Sequence, residues 1–127
     1  MRVLYFGTYE RRYPRNAQVI SCLRRAGVEV VERHVPVWEG REQKWRAGLS
    51  AALRLVVAQA RLLRRPRVEA DAVIVGYPGH LDLPAARRFA RGRPVVFNPL
   101  VSLVDTLVGD RARFRPGSIP ARLLAAV

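Results

Sequence analysis

Met1-Arg2-Val3-Leu4-Tyr5-Phe6-Gly7-Thr8-Tyr9 decides how the chain folds. Val3 to Phe6 is an unbroken apolar run that stops at Gly7. A run without alternation, bounded by glycine, is a strand buried on both faces, and such strands belong to parallel sheets covered by helices. A polar turn follows Gly7, and from Pro14 the pattern becomes helical. Strand, glycine turn and helix in that order open a βαβ unit.

Outward from that start, Ala17, Ile20, Leu23 and Ala26, with Val19 beside them, define one helical face. Pro14 suits the first turn and Gly27 the left-handed exit. Residues 28–35 are β-branched and half alternating, which suits a strand near the sheet edge. Pro36 and Gly40 bracket a connection holding Trp38. Residues 41–63 predict a long helix with an inward stripe of Trp45, Leu49, Leu53, Val56, Ala60 and Leu63, stopped by Pro66. Residues 71–76 are the second buried strand. The exit Tyr77-Pro78-Gly79-His80-Leu81-Asp82 leads to a short helix capped by Asp82, started by Pro84 and ended by Gly92. Residues 94–98 predict a fourth strand. Residues 99–116 are mixed, and Ser118 caps a last helix still apolar at Leu123, Leu124 and Val127.

Strands alternating with helices make an α/β doubly wound sheet, mostly parallel, with helices on both faces. The long helix can carry the chain back across the first strand, so right-handed crossovers give the order 2-1-3-4. Ligands in such sheets bind beyond the carboxyl ends of the strands, at the switch point. The loops 7–15 and 76–82 meet there.

The length of 127 residues suits one domain with a sizeable core. No apolar run approaches the ~18 residues of a membrane span. Met1 leads straight into the strand, so no signal peptide is expected. Cys22 is the sole cysteine and cannot form an internal disulfide, so the expected compartment is the cytoplasm. The net charge is +13, yet Lys44 is the only lysine among 23 basic residues. That bias fits either the codon usage of a GC-rich genome or a functional basic surface facing anionic partners. The arginine side of the long helix (Arg46, Arg54, Arg61, Arg64 and Arg65), with Trp38 and Trp45 nearby, suits peripheral contact with an anionic membrane. A nucleic-acid partner is disfavoured, since aromatics are few and no reader motif is present.

Gly7-Thr8-Tyr9 is not a dinucleotide fingerprint, which needs two further glycines, and no Walker lysine exists. Glu32 is the one acidic residue placed to read a ribose after strand two, and it equally suits a solvated edge. No His/Cys/Asp spacing resembles a metal site. His80, in the loop aimed at the crevice, is the best candidate for proton chemistry. His34 ends strand two with no cluster around it. Asp105 reads as a turn residue or a carboxylate of the site. Arg11, Arg12 and Arg15 flank the first turn, where they and the helix N-terminus suit an anion.

Three stretches carry a family resemblance: residues 1–16, Val75-Gly76-Tyr77-Pro78-Gly79-His80, and Phe97-Asn98-Pro99-Leu100-Val101-Ser102-Leu103-Val104-Asp105-Thr106. In that order they resemble the N-terminal part of family 4-like (group 1) glycosyltransferases of the GT-B fold, which pair two Rossmann-like domains. The resemblance implies that residues 1–127 are the N-terminal, acceptor-side Rossmann-like domain. It implies a partner C-terminal domain, not in this chain, that binds a nucleotide-diphosphate sugar and carries Glu-x7-Glu. It implies a saccharide or lipid-linked acceptor, with Gly7, Thr8 and Tyr9 at the lip near the donor phosphates. His80 falls near the transferred sugar, and Tyr77 and Asp105 fall on the acceptor side. The chain binds no cofactor of its own on this reading and is inactive alone, peripheral at most on the inner face of the cell membrane. Its apolar end is expected to be exposed or covered by a second copy. The rival reading is a non-catalytic Rossmann-like module that binds a nucleotide or a protein.

Overall fold

The computed structural model describes residues 1–39, 49–64, 66, 68–97, 99, 118, 119 and 122. Its elements run β1 (Arg2–Gly7), α1 (Pro14–Arg25), β2 (Glu29–His34), α2 (Leu49–Arg64), β3 (Ala72–Val75), a 3₁₀ turn (Gly79–Asp82), α3 (Leu83–Ala90) and β4 (Val95–Phe97). The four strands form one parallel sheet in the order β2-β1-β3-β4. Tyr5 stands between Glu32 of β2 and Ile74 of β3. Helices cover both faces, as the alternation of elements requires, and the fold is Rossmann-like.

The pleat sends Leu4 and Phe6 of β1, with Val73 and Val75 of β3, to one face. They pack there against Ala58 and Leu62 of α2 and Ala85, Ala86 and Phe89 of α3. Tyr5, with Val30 and Ile74 beside it, points to the other face and meets Ile20 and Val19 of α1. Each fully buried large side chain (Leu4, Phe6, Leu62) contributes about 1.5–3 kcal/mol. Gly27 ends α1 with φ 76°, as expected of its position. Among the described residues, no helix is long and apolar enough to cross a membrane.

Three expectations need correction. On α1 the inward positions are Asn16 and Ile20, with Val19 and Leu23 half-buried, while Ala17 and Ala26 are exposed. Among the described residues of α2 the inward positions are Ala58 and Leu62, whereas Leu53, Val56 and Leu63 of the expected stripe are exposed and Ala60 is half-buried. An aliphatic helix with apolar residues nearly all round gives periodicity two solutions, and the sheet selects one. Third, Asp82 stands at the N-cap of α3 but makes no side-chain cap bond; its carboxylate is engaged elsewhere. Residues 41–48, including Lys44, Trp45 and Arg46, lie outside the described residues, as do Arg65, Asp105, Leu123, Leu124 and Val127.

Buried Arg33 explains how α2 ends. Its guanidinium donates to the carbonyls of Leu62 (3.2 Å) and Pro66, and lies 4.3 Å from the centroid of the Phe89 ring. A cation at a helix C-terminus satisfies carbonyls left open by the last turn.

Candidate functional site

The carboxyl ends of β1 and β3 lie side by side, where the Gly76 amide donates to the Phe6 carbonyl (3.3 Å). Gly7 leaves β1 with φ 128°, and a methyl group there would overlap the Asp82 carboxylate. Gly76 admits no side chain either, since a Cβ would stand 2.6 Å from Tyr9 Cβ and 2.7 Å from Tyr5 Cε1. These turns are therefore shaped around neighbouring side chains. They bring the loop after β1 against the loop after β3, which begins with a cis Tyr77–Pro78 bond.

Asp82 is the centre of the junction and is 0% exposed. The Thr8 backbone amide donates to its Oδ2 (2.7 Å), and the Thr8 hydroxyl donates to the same oxygen (3.0 Å). Gln59 of α2 donates its amide to Oδ1. The Thr8 hydroxyl in turn accepts the Trp38 indole N–H (3.1 Å). One carboxylate thus joins the loops after β1, β2 and β3 to helix α2. Burial pushes the Asp82 pKa up, against the pull of the Thr8 and Gln59 bonds.

Asn16 forms a second clasp on the α1 side. Its Oδ1 accepts the Tyr5 hydroxyl (3.0 Å) and the Tyr77 amide (2.9 Å). Its Nδ2 donates to the Glu10 carbonyl (2.8 Å) and the Tyr77 carbonyl (2.7 Å). The full capacity of the amide is used. Burial pushes the Tyr5 hydroxyl up to about 12, so Tyr5 stays a donor.

Glu32 anchors the β2 edge. It accepts the Tyr9 hydroxyl (2.7 Å), Arg11 Nε (3.1 Å) and Arg24 Nη2 (2.9 Å). Burial pushes its pKa up, but these bonds outweigh it and hold the carboxyl below its usual value. His34 Nε2 lies 2.5 Å from the Tyr9 carbonyl, so the proton sits on that nitrogen. Burial lowers the His34 pKa, and the imidazole is neutral near pH 7.

The expected site residues now have positions. Gly7, Thr8 and Tyr9 are buried and do not form an open lip: the Thr8 amide, a donor suited to an anion, already holds Asp82. Tyr9 is locked between Tyr5 (4.8 Å) and His34 (4.6 Å). Arg11 is spent on Glu32, beside a groove of about 500 Å³ on the α1 side. Arg12 is exposed and Arg15 half-exposed. His80 is not a surface-loop residue; it is 6% exposed and meets Phe97 of β4 edge-on at 5.0 Å. Tyr77 is half-buried against Tyr13 (4.8 Å). Glu32 is a charge hub rather than a solvated edge residue, and His34 has Tyr9 and Glu39 (3.6 Å) around it. Among the described residues, no group of three His, Cys, Asp or Glu side chains could hold a metal ion.

Sequence reasoning missed Asn16, Gln59 and the role of Asp82. Asn16 left a signal: it lies four residues before Ile20, a polar side chain on the apolar face. Gln59 left none, because polar residues on a helix are ordinarily solvated.

No family model matches the chain, and no solved structure matches it. A stretch of 36 residues is 56% identical to part of the chromosomal replication initiator protein DnaA of Ruegeria sp. (strain TM1040). That match covers 28% of this chain and 8% of that protein.

Proposed function

We propose that the chain is the N-terminal, acceptor-side domain of a GT-B glycosyltransferase, which moves a sugar from a nucleotide-diphosphate donor to a saccharide or lipid-linked acceptor. One observation carries the reading. The stretches that resemble the family are far apart in sequence, yet their described residues meet at one edge of the sheet. Thr8 of the first holds Asp82, two residues beyond the second, and His80 of the second meets Phe97, the start of the third. In a parallel sheet that edge is where ligands bind.

The residues divide into chemistry and positioning. His80 is the imidazole of the second stretch at this edge, and its role is to hydrogen-bond or relay a proton at the transferred sugar. Asp82, Thr8 and Asn16 are positioning residues, and by fixing the loops to each other they hold His80 and Tyr77 in place. The donor's diphosphate is held by the second domain, which supplies the positive groups that stabilise the leaving nucleotide. Closing two domains on donor and acceptor removes the entropic part of the barrier.

A non-catalytic module is favoured by one contrary observation: Asp82 occupies the amide that a phosphate would otherwise use. Titration of the chain, followed by backbone amide shifts, with uridine and guanosine diphosphate sugars and with a saccharide panel separates the readings. The glycosyltransferase reading expects saccharides to shift residues 77–80 and nucleotide sugars to bind no tighter than millimolar. Joined to a donor-binding domain, the protein should transfer sugar, and His80→Ala should lower kcat more than stability. Micromolar nucleotide-sugar binding by this chain alone, or no transfer by the two-domain protein, would overturn it.

A further inference from the structure

The outward stripe of α2 has no cover among the described residues. Leu53 is 67% and Val56 66% exposed, with Val57 and Leu63 exposed beside them. From Leu53 to Leu63 the stripe is about 15 Å long at ~1.5 Å per residue. Arg54, Arg61 and Arg64 flank it, and α2 contains no acidic residue. Among the described residues, Arg54 bonds the Ser50 carbonyl and hydroxyl, both neutral. Among the described residues, no carboxylate pairs with Arg54 or Arg61. Alongside runs a groove of about 440 Å³ lined by Val37, Leu53 and Val57, with Glu39 the one acidic residue among its described lining.

We infer that α2 is an interfacial helix that seats the protein on an anionic lipid surface. The aliphatic side chains enter the boundary between headgroups and acyl chains, and the guanidinium groups lie among the lipid phosphates. Charge selects this occupant over a second copy. Stacking two stripes would bring like arginines together in a chain already at +13. Nucleic acid would use the arginines but leave the aliphatic stripe in water, and the stripe carries no aromatic for stacking. Trp38 takes no part, since its indole is half-buried and bonded to Thr8. This inference is independent of the sugar-transfer reading, and its test contains no nucleotide sugar.

Co-sedimentation with vesicles of pure phosphatidylcholine, and with vesicles about one-third phosphatidylglycerol, tests it at low and moderate salt. Three arginines predict about a hundredfold preference for the anionic vesicles at low salt, falling as salt rises. The double variant Leu53→Ser with Val56→Ser should lose about tenfold in binding. Arg54→Gln with Arg61→Gln should erase most of the lipid preference. Circular dichroism of both variants should match the parent, because the replaced side chains lie on the exposed face. Equal, negligible binding to both vesicles overturns the inference. So does unchanged binding of the serine variant, which would reduce the contact to diffuse charge. A dimer in sedimentation velocity that Leu53→Ser dissolves would assign the stripe to a second copy and also overturn it.

Discussion

Asp82→Ala is expected to destabilise the chain by about 3–5 kcal/mol. The carboxylate is fully buried and receives the Thr8 amide, the Thr8 hydroxyl and the Gln59 amide. Each donor stranded in the interior costs about 1–3 kcal/mol, and water entering the space left behind recovers part of the sum. Asp82→Asn should differ from the parent by no more than about 1 kcal/mol near pH 5. Its amide keeps the shape, and Gln59 can turn its oxygen to the new donor. The two variants separate a lost acceptor from a lost charge. The pH dependence adds a second check. The folded-state pKa of Asp82 is raised by burial, so the folded protein holds the extra proton between the ordinary value of 3.8 and that raised value. Its contribution is therefore greatest below 3.8 and is lost as pH rises through the raised value. The asparagine variant lacks this term and should gain on the parent as pH climbs from 4 towards 7. Urea denaturation followed by far-UV circular dichroism reads both effects. An alanine cost below about 1 kcal/mol, typical of surface positions, or a pH-independent asparagine difference would refute the clasp.

Asn16→Ala should cost about 2–4 kcal/mol and speed amide exchange in both loops, since four hydrogen bonds end on one side chain; unchanged exchange at Tyr77 would count against it. Gly76→Ala should cost at least about 2 kcal/mol, because the methyl meets Tyr9 and Tyr5 below contact distance; a melting temperature equal to the parent's would contradict the packing. His34 is buried with a lowered pKa, so its contribution is present above 6.5 and is lost as pH falls from there through the folded value. His34→Gln should flatten that part of the stability profile, and an unchanged slope in chemical denaturation would show that another group is responsible.

The sheet was legible because its signals are local. Val3 to Phe6 and Ala72 to Val75 are apolar without alternation, and only strands covered on both faces tolerate that. The length of the segment before β3 sufficed to order the strands, because handedness leaves few routes back across β1. The convergence of the loops after β1 and β3 followed from that order. What the sequence could not contain is the choice among chemically equivalent partners. Asp82 satisfies every local rule for a helix cap, yet its carboxylate turns to Thr8, 74 residues away, because the interior offers donors that water cannot reach. Arg11 looks like an anion contact until β2 places Glu32 beside it. The α2 stripe looks like core until Ala58 and Leu62 prove the better fit against Phe6 and Phe89. Periodicity and composition, set by the chain itself, determine which elements form and how they can connect. Burial, which exists only once the elements pack, decides which face turns inward and which polar groups must find each other.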